Sequence, residues 1–153
     1  MRLSIAASSV LLAACATLAG GGRDSVEFTV PVTTDEALRI GVAQLQLHGY
    51  QIGTNERNML VTIPRAVPEG ARGGAAGAAD RQWIVRVEAS PVEFTGDTRI
   101  RVTGYLIPPG APAAVADTAV ATPVTADDRE LFGELQSVGR WIVDAARRQR
   151  SGG

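Results

Sequence analysis

Along residues 25–31 the apolar positions Val26, Phe28 and Val30 alternate with Glu27 and Thr29, the period of two that sets one side of a strand against a core. From Thr33 the period lengthens. Leu38, Val42 and Leu45, with the small Ala37 and Gly41 beside them, recur at helical spacing; Thr33-Thr34-Asp35-Glu36 offers a capping box in front and Gly49 a left-handed terminator behind. Tyr50, Ile52 and Met59-Leu60-Val61-Thr62-Ile63 return to strand character around the turn-prone residues 54–58, which predicts a hairpin. Trp83, Val85 and Val87 oppose Gln82, Arg86 and Glu88 in the next strand. Ile100, Val102, Gly104 and Leu106 oppose Arg99, Arg101, Thr103 and Tyr105 in the one after, with Gly96-Asp97 as a two-residue turn between them. A short edge strand is expected within 116–124. The last apolar stripe, Leu131, Leu135, Val138, Ile142 and Ala145, has helical spacing, is preceded by Thr125, Asp127 and Asp128 as a cap, and closes on Arg147, Arg148 and Arg150, where the helix dipole favours cations.

The order is therefore β-α-β-β-β-β-(β)-α. It predicts an α+β fold in which a mostly antiparallel sheet of five or six strands carries two helices on one face, as a single domain over residues 25–150. Residues 65–80, rich in glycine and alanine, are expected to form a mobile loop, since they have almost nothing to bury.

Composition narrows the function classes. A formal net charge of −1 over 153 residues gives no electrostatic reason to expect nucleic acid or an anionic membrane surface as partner. All 15 basic residues are arginine. Without lysine there is no Schiff-base lysine, no phosphate-loop lysine and no Ser-Lys dyad. With one cysteine no disulfide can form within the chain, so the core alone must stabilise it.

That cysteine sits in Leu12-Ala13-Ala14-Cys15, behind Met1-Arg2 and an uncharged, mostly apolar run too short to span a bilayer and ahead of Gly20-Gly21-Gly22. The stretch resembles the bacterial lipoprotein signal. The resemblance implies cleavage after residue 14, lipidation of Cys15 and a flexible tether over 15–24, and so a membrane partner reached through an N-terminal lipid anchor. Ala16 is not the aspartate of an inner-membrane retention signal, so the expected address is the outer membrane, facing the periplasm. The competing expectation is an ordinary secretory signal cut near Ala14-Cys15-Ala16 and a soluble periplasmic protein. A second resemblance is carried by Leu45-Gln46-Leu47-His48-Gly49-Tyr50-Gln51-Ile52 with Met59-Leu60-Val61-Thr62: it is similar to the β-α-β-β units of small outer-membrane lipoproteins, including the helix-grip domains of the C-type lipoprotein of the barrel assembly machinery. It implies a non-enzymatic accessory or scaffold with an envelope protein as partner, and transfers no functional residue beyond Cys15.

Chemistry-bearing constellations are sparse. His48, the sole histidine, stands at a helix end with no second histidine or cysteine at ligand spacing, and no Gly-x-Ser-x-Gly elbow accompanies it. The glycine-rich 70–77 lacks the Gly-Lys-Ser/Thr of a phosphate loop. The expectation is no catalytic, metal or cofactor site, against the rival of an enzyme with an unrecognised site gathering His48 with carboxylates. Arg86, Arg99 and Arg101 project from the polar sides of neighbouring strands and form the best candidate for partner contact, although cross-strand ion pairs with Glu88 and Glu93 would also account for them. Trp141, off the main stripe of its helix, is the candidate aromatic anchor.

Overall fold

The computed structural model describes residues 23–68, 81–108, 110 and 121–152, so the expected signal peptide, Cys15, most of the tether and most of the 65–80 loop lie outside the described residues. The element order is β1 Ser25–Val30, α1 Thr34–Leu47, β2 Ile52–Glu56, β3 Met59–Thr62, β4 Arg65–Ala66, β5 Gln82–Pro91, β6 Thr98–Ile107, β7 Thr122–Pro123 and α2 Arg129–Ser151. The class is α+β, as the periodicities predict. All strands join one antiparallel sheet in the order β1-β6-β5-β3-β2, and the two short strands complete its edges: β4 pairs with β5 beyond the end of β3, and β7 pairs with β6 beyond the end of β1.

Both helices cover the same face. Val26, Val30, Leu60, Trp83, Val85, Val87, Ile100 and Val102 from the strands pack with Leu38, Leu45, Leu131, Leu135, Val138 and Ile142 from the helices in one core. Glycines set how closely the layers approach. A Cβ on Gly104 of β6 would lie 3.1 Å from Cδ2 of Leu135, and one on Gly139 of α2 would lie 1.8 Å from Cε2 of Phe28. Each layer thus has a large side chain seated where the other has none. Gly41 of α1 does the same against Leu60, at 3.0 Å.

Local chemistry departs from the simplest reading at several points. The amide of Glu36 donates to Thr33 Oγ1 at 3.4 Å, but the Glu36 carboxylate does not close the capping box; it accepts from Gln149 Nε2 at 2.6 Å and so ties α1 to α2. Gly49, at φ +79°, ends α1 as expected. Asp128, not Thr125, precedes α2, and its side chain makes no capping bond. The reason lies upstream: the Val124 amide is bonded to the Gly104 carbonyl at 2.8 Å, so Thr125 is used in the turn that leaves β7, accepting from the Asp128 amide at 2.9 Å. The apolar stripe of α2 runs on to buried Ala146 rather than Ala145, which is half-buried. The β5–β6 connection is a six-residue loop, 92–97, closed by the Val92 amide on the Asp97 carbonyl at 2.9 Å, not a two-residue turn. Arg65 and Ala66, expected in a mobile loop, are β4, and Val67 is buried. The final residues of the expected tether are held too, since the Arg23 carbonyl accepts from the Ala126 amide at 2.7 Å.

Candidate functional site

The face of the sheet turned away from both helices is organised by register. Pairing runs Glu27 to Arg101 to Glu88 to Met59 across β1, β6, β5 and β3, and Ser25 to Thr103 to Arg86 to Val61 in the adjacent row on that face. The third row, Thr29 to Arg99 to Ser90, has no carboxylate. Among the described residues, two of the three predicted arginines are paired and one is not. Arg101 donates from Nε to Glu27 Oε1 at 2.7 Å, with a second nitrogen at 2.6 Å. That bond and the Glu27 charge hold its guanidinium still more firmly protonated than usual. Arg86 pairs with Glu88 on its own strand, two residues on. Glu93, expected as a cross-strand partner, makes no ion pair among the described residues, because it sits in the 92–97 loop and not on the strand.

Arg99 is exposed, flanked only by hydroxyl side chains, and has no ion pair or hydrogen bond from its side chain among the described residues. Asn58, Met59, Arg86, Glu88, Ser90, Arg99 and Arg101 line a depression of about 390 Å³. The Nε of Arg86 is buried there and lacks a hydrogen-bond partner. The site therefore offers one free guanidinium, that of Arg99, with the flanking arginines already fixed by glutamates and the unpartnered Nε of Arg86 out of reach of solvent. Its chemistry suits a carboxylate or another oxyanion.

Toward the other end of this face the pattern turns apolar. Val61, Ile84 and Ile107 form a second buried cluster joined by Met59 and Tyr105. The alternation in β5 predicts Gln82, Arg86 and Glu88 on this side; Ile84 belongs with them.

Trp141 is not part of the arginine face. It lies on α2, half-buried, with its ring flat against His48 at the end of α1, centroids 3.5 Å apart and 8° from parallel. The one histidine and the suspected anchor thus clamp the two helices together. Among the described residues no group of three or more His, Cys, Asp or Glu side chains is placed to hold a metal ion, and no helix is long and apolar enough to cross a membrane.

A second polar cluster, invisible to local pattern, surrounds Tyr50. Its hydroxyl donates to Glu134 Oε1 at 2.8 Å, 84 positions away, and Arg65 stacks over its ring at 4.3 Å. Tyr50 is only 2% exposed. Burial first, then the Glu134 hydrogen bond and charge, push its phenol well above the usual tyrosine range, and Arg65 opposes this weakly. The cluster joins the end of α1, the edge strand β4 and α2. No protein-family model and no curated protein matches this chain.

Proposed function

We propose that this chain is a lipid-anchored cell-envelope module, attached through Cys15 at the outer membrane and facing the periplasm, which acts without catalysis by holding a carboxylate-bearing partner segment on the sheet face around Arg99. The observation that carries the binding reading is that Thr29 and Ser90, not carboxylates, stand opposite Arg99, while Arg101 faces Glu27 across the strands and Arg86 is met by Glu88 of its own strand. Of the three arginines on this face, Arg99 alone is left without a carboxylate among the described residues, beside a depression of about 390 Å³.

The anchor rests on the Leu12-Ala13-Ala14-Cys15 stretch and its resemblance to lipoprotein signals. A tethered domain needs little affinity, because the effective concentration of a partner in the same envelope layer is already high.

The test uses a fluorescent extended peptide of alternating Asp and Thr. Anisotropy is expected to show saturable binding that weakens with salt, as screening of exposed charges requires. Arg99→Glu is expected to weaken it by about 10–100-fold, the range of one lost charge-assisted bond. Arg140→Glu, exposed on α2, is the control and should leave affinity within about twofold, the spread of a screened distant charge. Equal losses from the two variants, or no saturable binding by wild type, would reject this face as the site.

A further inference from the structure

One end of the molecule carries a knob and a hole of opposite charge. The knob is Phe94, wholly exposed at 103% of its reference area and set at φ +67° in the 92–97 loop, with Glu93 and Asp97 on either side. The hole is a groove of about 450 Å³ between the outer side of α1 and the β2–β3 hairpin; Leu38, Val42 and Ala43 are its apolar lining, and Arg39, which also meets Glu36 on its own helix at 3.6 Å, and Arg57 stand at its rim with Asp35. Both features lie at the same end of the sheet. The Asn58 carbonyl at the β2–β3 turn accepts from the Ala89 amide of β5 at 2.9 Å, and Thr34 in the first turn of α1 meets Thr98 at the base of β6.

Two further observations single this end out. Among the described residues the only non-glycine positions with positive φ are Arg57, at φ +39°, on the rim, and Phe94, at the tip of the knob. Such backbone is strained and is characteristically retained where it aims a side chain. Phe94 also does not fill the groove of its own chain, since it is fully exposed. Its carboxylate neighbours disfavour an anionic bilayer as the surface that would cover it.

We propose that a second copy of this chain covers this end, each Phe94 entering the other copy's Leu38, Val42 and Ala43 groove while Glu93 and Asp97 meet Arg39 and Arg57. Because knob and hole share one end, a twofold axis satisfies both pairs at once and the association closes as a dimer instead of running on as a filament. Each inserted phenyl ring removes about 150–250 Å² from water, the kind of central aromatic anchor that dominates small interfaces. The interface is compact, so the dimer is in concentration-dependent exchange with monomer. This surface adjoins the Arg99 depression at Asn58 but uses none of its arginines, and it does not rest on that reading.

Sedimentation equilibrium of the full chain, in a Cys15→Ala background so that no acyl group contributes, tests it. Wild type is expected to show a reversible monomer–dimer equilibrium, and Phe94→Ser to weaken it at least tenfold while leaving the melting temperature unchanged or higher. The decisive arm reverses charges. Glu93→Arg with Asp97→Arg in one preparation, and Arg39→Glu with Arg57→Glu in another, should each be monomeric where wild type dimerises. Their equimolar mixture should recover the dimer, since both knob–groove pairs in the heterodimer are then complementary. A wild type that stays monomeric at the highest concentration, a dimer indifferent to these variants, or a mixture that fails to recover it overturns the proposal.

Discussion

Leu135→Ala is expected to cost the fold about 2–5 kcal/mol, a large fraction of the 5–15 kcal/mol that a domain of this size typically has. Leu135 is fully buried at the middle of the α2 stripe, and its two methyl carbons occupy the space over Gly104 that any other residue in β6 would fill with its own Cβ, at 3.1 and 3.3 Å. Removing it therefore opens a void between a rigid strand and a helix held at two further points, by Phe28 against Gly139 and by Ile142 in the core. Neither layer can move in without disturbing those contacts, so collapse is incomplete and the cavity term adds to the lost transfer energy. Gln136, its exposed neighbour, is the control. Gln136→Ala should shift a denaturant midpoint barely at all, and equal midpoints for the two variants would mean that α2 does not pack as described.

Tyr50→Phe is expected to lower stability near neutral pH by about 1–3 kcal/mol, since it removes a buried hydrogen bond to a carboxylate. The larger signature is its pH dependence. An unfolded tyrosine ionises near pH 10, whereas folded Tyr50 retains its proton above that because burial and Glu134 disfavour the phenolate. Below about pH 10 both states carry the proton and this group gives no slope; above it only the unfolded chain releases the proton, so wild-type stability falls by up to about 1.4 kcal/mol per pH unit. The chain has no lysine and only one other tyrosine, which makes this range unusually clear of other titrations. Urea melts between pH 9 and 11 (a range set by the ordinary tyrosine value) should show the slope in wild type and its loss in Tyr50→Phe. Parallel curves would contradict a buried, carboxylate-bound phenol.

What was legible beforehand follows how local each cause is. The α2 stripe, the Thr33 cap and the Gly49 terminator depend on neighbours within about one helical turn, and all three could be read from spacing alone. The caps that differ do so because a distant bond takes the place of the local one. Thr125 is committed by the Val124 bond to Gly104, and Glu36 by Gln149 on the other helix. The arginine face was half legible. Alternation places Arg86, Arg99 and Arg101 on one side, and Arg86 meets Glu88 on its own strand, but that Arg101 and not Arg99 finds Glu27 depends on the pairing of β1 with β6, strands 68 or more residues apart at their nearest ends. The same holds for Ile84, whose partners Val61 and Ile107 come from two other strands, and for Tyr50 with Glu134. Trp141 stands off the main stripe of α2, as its spacing predicts; the stripe carries no sign that His48 lies against it.

The domain's work, on this account, is done at a membrane surface, so the address in Leu12-Ala13-Ala14-Cys15 is the claim on which the functional reading depends most. Growth of an expressing bacterial host with a radiolabelled fatty acid, comparing the wild-type chain with Cys15→Ala, measures it directly. Label on the wild-type protein, recovered in the outer-membrane fraction and absent from the variant, is the predicted result; equal labelling of the two, or none on either, would contradict it.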